Sequence, residues 1–136
     1  MFKSDKMFST IAVDDIDKAR QFYGETLGLD VEDGEQPGLI QITNAGQAPV
    51  VIYPKPFHEP ANYTVLNFPV DDMDRAVETL TDAGVRMEHY DRDDIKTDKK
   101  GVMRGDGMAI AWFRDPAGNI LSPAGNILSV VSGDKS

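Results

Sequence analysis

The chain contains no cysteine, and this absence excludes several kinds of site at once. Disulfide scaffolds, thiolate zinc sites and cysteine nucleophiles all require a thiol. Imidazole is almost as scarce, because the 136 residues include only two histidines, His58 and His89. Any metal or acid–base site that relies on imidazole must therefore use these two positions.

Long apolar runs and positive charge are also scarce. No run approaches the roughly 18 to 20 apolar residues that span a bilayer, and residues 1–6 lack the apolar core of a secretory signal. With 14 Lys and Arg against 23 Asp and Glu, the formal net charge is −9. A nucleic-acid surface needs clustered cations, and the one dense basic cluster, Lys96, Lys99 and Lys100, is interspersed with aspartates, as in a solvated loop. We expect a cytoplasmic globular protein that binds neither nucleic acid nor a membrane. Its acidic surface either aids solubility or favours a cationic ligand.

The most informative feature of the sequence is an internal repeat. The segment Val13-Asp14-Asp15-Ile16-Asp17-Lys18-Ala19 recurs as Val70-Asp71-Asp72-Met73-Asp74-Arg75-Ala76, with five identities and two conservative exchanges. Each copy has the pattern of a strand end followed by a helix, in which Asp15 and Asp72 suit the N-cap position. The repeat predicts a duplicated module.

Strand patterns complete both modules. Apolar alternation and turn motifs predict three further strands after each helix, at 29–32, 39–43 and 50–53 in the first half and at 85–90, 108–113 and from 120 onward in the second. Both halves therefore follow the order β-α-β-β-β, and the fold class is α+β. Prolines between the halves mark a linker, since proline cannot serve a central strand. We expect a first module at 1–56, a linker at 57–61 and a second module at 62–136, within one compact domain.

A second repetition is shorter. The heptad Pro-Ala-Gly-Asn-Ile-Leu-Ser at 116–122 is followed directly by an identical heptad at 123–129. Because seven is odd and strand side chains alternate with period two, only one copy can form a hairpin turn in the normal register. The sequence leaves open which copy does so.

Two stretches carry a resemblance to a known family. The first, TIAVDDIDKARQFYGETLGLDVE at 10–32, resembles the opening of a module of the glyoxalase/bleomycin resistance protein/dioxygenase (vicinal-oxygen-chelate) superfamily. The second, WFRDPAGNILS at 112–122, resembles the closing hairpin of that family, Asp-Pro-x-Gly-Asn. The resemblance covers nearly the whole chain. It implies two β-α-β-β-β modules that form a curved mixed sheet around a cavity, and a homodimer, as in many members.

The resemblance also implies where a metal ion would bind. In metal-using members, four ligands lie at equivalent places in the two modules. The corresponding residues here are Phe8, Val51, Val65 and Ser122, or Ser129 if the second heptad pairs. None of these is a usual ligand for a divalent ion. We therefore expect a metal-free member without a cofactor, which argues against lactoylglutathione lyase and extradiol dioxygenase activity.

A few residues remain candidates for catalysis. His58 and Glu59 lie in the linker, either as surface residues or as an unorthodox metal site with His89 as a third ligand. His89 alternates along the predicted strand, either as half-exposed sheet surface or as a general base. Nucleophilic chemistry is unsupported, because no Gly-x-Ser-x-Gly motif surrounds any serine.

Aromatic residues and methionines on or beside the predicted strands are the candidates for ligand contact. A small organic ligand needs a concave apolar surface with a few polar groups. The candidate residues are Phe8, Tyr53, Phe57, Tyr63, Val65, Met103, Met108 and Trp112. The same residues could instead fill the core. Tyr53, Tyr63 and Trp112 are favoured as contacts, because a buried Tyr or Trp must find a partner for its polar group.

We expect a metal-independent protein that binds a small, partly apolar organic molecule, such as a drug or metabolite to be sequestered. The alternative is a lyase, isomerase or dioxygenase-like enzyme that uses non-standard residues such as His89, Tyr53 or Glu59. A third interpretation is a partner-binding module with a filled core and no pocket. Formation of a homodimer would cover exposed sheet edges.

Overall fold

The computed structural model describes residues 4–125, which fall into two compact units, one ending at Pro60 and the other beginning at Ala61. This division lies inside the predicted linker, 57–61. Each unit has an α-helix packed against one face of a mixed sheet. Among the described residues, no helix is long and apolar enough to cross a membrane.

The first unit contains five regular elements and one π-helical turn. They are β1 (Ser9–Val13), α1 (Ile16–Gln21), the π-helical turn (Phe22–Thr26), β2 (Val31–Asp33), β3 (Ile40–Asn44) and β4 (Gln47–Pro54). The sheet order is β1-β4-β3-β2, with β1 parallel to β4 and the other pairs antiparallel. Alternate residues are buried along β1, β3 and β4, and α1 packs on β4. The predicted order β-α-β-β-β is confirmed here, whereas the π-helical turn was not predicted.

The second unit repeats this plan with one more strand. Its elements are β5 (Thr64–Val70), α2 (Met73–Asp82), β6 (Val102–Gly105), β7 (Met108–Ala111), β8 (Phe113–Arg114) and β9 (Ile120–Gly125). The sheet order is β5-β9-β7-β6, and β8 also pairs with β9. Strand β5 runs parallel to β9, and the other pairs are antiparallel. Helix α2 packs on β7 and β9.

The predicted strand at 85–90 is wrong. Only Met87 in this segment forms a bridge to the sheet, opposite Phe113. Beyond it, the backbone of Tyr90 bonds to Thr97, with the Thr97 N–H donating to the Tyr90 carbonyl over 2.9 Å. Because these groups pair within the loop, the chain leaves the sheet instead of extending a ladder. The sheet position beside β7 is filled by β6, which is joined to β7 by a tight turn.

The predicted strand at 108–113 is divided at Trp112 into β7 and β8, and Pro123 explains the division. Strand β9 pairs with both β7 and β8 in one continuous register. Pro123 lies between the two paired stretches of β9 and has no N–H to donate. The ladder is therefore interrupted, although the register still places Trp112 opposite Ser122.

Both helices begin as the repeat predicts. The Asp15 carboxylate accepts hydrogen bonds from the backbone N–H groups of Asp17 and Lys18 at 3.0 and 3.2 Å. The Asp72 carboxylate accepts one from Arg75 at 3.1 Å. In each Asp-Asp pair the second aspartate is therefore the cap, and its extended backbone is typical of that position.

The first copy of the duplicated heptad forms the closing hairpin. The Asp115 carboxylate, 4% exposed, accepts hydrogen bonds at 2.9 Å from the backbone N–H groups of Ala117 and Asn119 and from the Asn119 side-chain amide. The second copy begins at Pro123, within β9. Its later residues, including Ser129, lie outside the described part of the chain.

Candidate ligand-binding faces of the two sheets

Each sheet has a second face, opposite its helix, which we call the distal face of that unit. Side chains alternate between the two faces of a strand, so the neighbours of helix-side residues lie on the distal face. In the first unit, the helix-side residues include the buried Ile11, Ile40 and Ile52. The distal face of the first unit carries Thr10, Ala12, Gln41, Val51 and Tyr53.

The distal face of the first unit combines aromatic, aliphatic and amide groups. Val51 and Tyr53 are half-buried there. The side-chain amide of Gln41 donates to the Glu32 carboxylate over 2.9 Å, which fixes the orientation of the amide. Phe8 lies directly before β1 and is 60% exposed. Of the predicted contacts, the structure thus places Tyr53 on the distal face and leaves the Phe8 ring open to solvent.

The distal face of the second unit is richer in apolar groups. Its helix-side residues include the buried Val102 and Ala111, which lie opposite each other. The next pair in the register, Met103 with Ile110, lies on the distal face, and so does Met108. A cavity of about 300 Å³ at this hairpin is lined by Met103, Arg104, Gly105, Asp106, Met108 and Ile110. The structure thus brings together two predicted contacts, Met103 and Met108.

Trp112 continues the distal face of the second unit beyond Ile110. Its ring meets that of Tyr90 edge to face, with the centroids 5.6 Å apart. The Arg92 guanidinium lies 5.2 Å from the centroid of the Tyr90 ring and pairs with Asp94 at 3.3 Å. Sequence reasoning missed Tyr90, because its segment was expected to form a regular strand and no motif indicates which ring it meets.

A pair of hydroxyl groups lies beside this strip. The Thr64 Oγ1 and Ser122 Oγ atoms are 2.8 Å apart, and Ser122 is 1% exposed. Val65 is half-buried and lies where the register between β5 and β9 shifts. The register pairs Thr64 with Ile120 and Asn67 with Ser122, so the Thr64–Ser122 contact crosses this shift.

The four positions that the family resemblance assigns to metal ligands do not fit a metal ion. The side chains of Phe8, Val51 and Val65 have no donor atom, and the Ser122 hydroxyl is engaged with Thr64. In residues 4–125, no three His, Cys, Asp or Glu side chains are grouped so that they could hold a metal ion. These residues therefore offer a divalent ion no suitable set of ligands.

The other candidate residues lie outside the strands. Phe57 is 96% exposed and has a φ of 57°, which is uncommon for an aromatic residue. Tyr63, directly before β5, is 66% exposed. His58 is half-buried beside the exposed Glu59, and His89 is exposed. None of these five residues belongs to either distal face as the strands define it.

Comparison with known proteins agrees with this architecture. The chain matches the family model described as the Glyoxalase/Bleomycin resistance protein/Dioxygenase superfamily over residues 7–122. No curated protein matches the sequence.

Several solved structures are similar. TnmS3, an antibiotic binding protein from Streptomyces sp. CB03234, is 25% identical, with a TM-score of 0.69 over 92% of this chain and 98% of that chain. A superfamily member from Sphaerobacter thermophilus is 26% identical, with a TM-score of 0.66 over 90% of this chain and 98% of that chain. A lactoylglutathione lyase from Agrobacterium tumefaciens, 20% identical, shares the fold, with a TM-score of 0.65 over 93% of this chain and 96% of that chain. From the family match and the fold, the chain belongs to the glyoxalase/bleomycin resistance protein/dioxygenase superfamily.

Proposed function

We propose that the protein binds a small, partly apolar organic molecule without a metal ion, and that the distal face of the second unit is the main contact surface. The observation that carries this proposal is the strip of half-buried side chains formed by Met103, Met108, Ile110 and Trp112. Thioether and aromatic groups adapt to varied organic surfaces. The indole N–H of Trp112 is a polar group that can orient a ligand in such a site.

The relative from Streptomyces supports the proposal, because it is an antibiotic binding protein and the match spans 92% of this chain. By this analogy we propose that the ligand is an antibiotic or a related metabolite and that binding sequesters it. The other predicted contacts are included in the proposal as additional ligand contacts: Phe8, Tyr53, Phe57, Tyr63 and Val65.

An enzyme that uses non-standard residues has less support. Such an enzyme needs an acid or base within hydrogen-bond reach of the bound substrate. His89 and Glu59 both lie outside the strands that form the distal faces. Tyr53 is the one predicted acid or base on a distal face.

We also propose that the protein is a cytoplasmic homodimer. Strands β1, β2, β5 and β6 end their sheets, and a second chain could cover their edge groups. Light scattering is expected to give twice the chain mass of 15.0 kDa. A mass of one chain at every concentration would contradict the dimer.

The test of ligand binding uses Trp112, which is the only tryptophan. Its fluorescence is followed while the metal-stripped protein is titrated with a panel of antibiotics that includes bleomycin. We expect a saturable one-to-one change and a matching rise in melting temperature, since a ligand that binds the folded state stabilises it. The Trp112→Phe variant should lose the fluorescence signal but keep part of the thermal stabilisation. If no compound alters either quantity, the proposal loses its support.

A further inference from the structure

A groove on the helix side of the second unit forms another cavity. It lies between α2 and the segment 85–100 and has a volume of about 750 Å³, which is in the range of small-molecule sites. Its floor includes Val77, Val85 and Met87, all buried. Because Met87 bridges to the helix-side residue Phe113, the groove and the distal face lie on opposite sides of the same sheet.

The wall opposite α2 is cationic, although the whole chain has a net charge of −9. It is lined by Arg86, Lys99 and Lys100 together with His89. Within the part of the chain that the structure describes, none of the three basic side chains forms an ion pair. In residues 4–125, no carboxylate therefore contacts these charges directly, and Asp98 acts on the Lys100 charge only at longer range.

The wall formed by α2 is acidic, but one of its carboxylates is already paired. Asp74 accepts a hydrogen bond from the Arg104 guanidinium at 2.6 Å. Glu78 and Asp82 are the other two carboxylates that line the groove. The three basic side chains of the opposite wall outnumber these two.

The turn that carries the two lysines is held in a fixed position. The Asp98 carboxylate accepts a hydrogen bond from the Lys100 backbone N–H at 2.8 Å. Gly101 has a φ of 87°, and a Cβ at this position would lie 2.9 Å from the Glu88 carbonyl oxygen and 3.7 Å from His89 Cε1. The turn therefore packs directly against the segment that carries His89. The two lysines thus lie on a packed turn and not on the solvated loop that their sequence context suggests.

We propose that this groove binds a small organic anion, a carboxylate or similar acidic group on an apolar body. The apolar body lies over Val77, Val85 and Met87, and the acidic group pairs with Lys99 and Lys100. Exposed ion pairs alone contribute little, so apolar contact with the floor supplies most of the affinity. This site is independent of the distal face and goes beyond the proposed function.

Octanoate is the probe for this site, and the ¹³C-methyl resonance of Met87 is the reporter, in protein labelled at its methionine methyl groups. We expect a saturable shift of Met87 with octanoate. Acetate lacks the apolar body and should leave Met87 unchanged. Octylammonium has the same apolar body but cannot pair with the lysines, so it should shift Met87 only at higher concentration than octanoate does, and replacement of the lysines should not weaken its binding. Met103 and Met108, on the distal face, should also stay unchanged. Replacing the two lysines together (Lys99→Gln, Lys100→Gln) should weaken octanoate binding about tenfold.

The matched control is the double variant Lys55→Gln, Lys96→Gln, which removes the same charge at positions outside the groove. It should bind octanoate as the unaltered protein does. Equal weakening in both variants would mean that net charge, and not this groove, attracts octanoate, and would overturn the proposal. An unmoved Met87 methyl, or a shift confined to Met103 and Met108, would overturn it as well.

Discussion

At the scale of single residues, one carboxylate decides which copy of the duplicated heptad forms the closing hairpin. The two copies are identical, but the residue before the first is Asp115 and the residue before the second is Ser122. Asp115 accepts three hydrogen bonds within the turn, whereas a serine hydroxyl is shorter and has a single oxygen. The choice that the heptad alone left open was therefore predictable from the residue that precedes it.

Replacing Asp115 tests this explanation. The Asp115→Ala variant leaves the buried donors of Asn119 without their acceptor, so the free energy of unfolding should fall by about 2 to 3 kcal/mol. Urea unfolding measures the loss. The Asp93→Ala variant removes an exposed carboxylate and should change stability by less than about 0.5 kcal/mol. Equal effects of the two changes would contradict the structural role of Asp115.

Asp98 gives the second unit a pH-dependent contribution to stability. The Val102 N–H, which donates to the Asp98 carboxylate at 3.0 Å, holds its pKa below the ordinary value of 3.8, against an opposing effect of burial. The Lys100 N–H and the charges of Arg104 and Lys100 act in the same direction as Val102. A carboxyl group whose pKa is lowered by folding stabilises the fold above its unfolded pKa, and this contribution is lost as the pH falls through the folded pKa.

The Asp98→Asn variant should therefore be less stable than the unaltered protein at pH 7. The difference should persist down to about pH 4, near the ordinary pKa of 3.8, and shrink below it. Urea unfolding between pH 7 and pH 2 measures the difference. The Asp93→Asn variant removes a negative charge from the same loop, so it measures how much of the loss of stability comes from the change in net charge alone. A difference that grows on acidification would refute the assignment.

At the scale of elements, the strand–helix order was predictable because its signals are local. Alternation, an N-cap and a helical apolar face are all read from neighbouring residues, and the internal repeat presents them twice. The prediction of a strand at 85–90 was wrong because strand pairing is not a local property. The apolar alternation is present in this segment, but Tyr90 forms hydrogen bonds with Thr97 and not with the sheet. The division of the predicted strand at Trp112 likewise depends on Pro123, which is distant in sequence and lies near Trp112 only because β9 pairs with β7 and β8.

The helix caps give a matched test at this scale, because each capping aspartate is directly preceded by an aspartate that does not cap the helix. Asp72→Ala should lower the free energy of unfolding by about 1 kcal/mol, whereas Asp71→Ala should lower it by less than about 0.5 kcal/mol. The same contrast is expected between Asp15→Ala and Asp14→Ala. Urea unfolding, monitored by far-ultraviolet circular dichroism, measures the free energy of unfolding of all four variants. An equal loss within either pair would contradict the assigned caps.

At the scale of the whole molecule, the candidate site was only partly predictable. Alternation along the predicted strands is sufficient to place Tyr53 and Met108 on distal faces, whereas Met103 lies on β6, a strand that the sequence did not predict. Alternation could not find Tyr90, whose ring is brought to Trp112 by a loop. The net charge could not predict the groove either. A value of −9 is a sum over the whole chain and gives no sign of a local cationic wall.

Removal of metal should leave the protein unchanged, because the family's ligand positions are Phe8, Val51, Val65 and Ser122 here. After treatment with a chelator, the melting temperature is expected to be the same as before. Adding Ni²⁺, Fe²⁺, Zn²⁺, Mn²⁺ or Mg²⁺ singly should not raise it, since a tightly bound ion would stabilise the folded state. A stoichiometric metal in elemental analysis, together with a lower melting temperature after its removal, would show that other residues form a metal site.

Binding of a small organic ligand to the distal face of the second unit, without a metal ion, is the function that we propose. Its most direct test is the ¹³C-methyl methionine spectrum of the metal-stripped protein during titration with bleomycin and the other antibiotics of the panel. Met103 and Met108 report on the distal face, and Met73 and Met87 report on the helix side of the same sheet. We expect a bound antibiotic to shift the resonances of Met103 and Met108 and to leave those of Met73 and Met87 unchanged. Shifts confined to Met87, or shifts that appear only after a divalent metal is added, would contradict it.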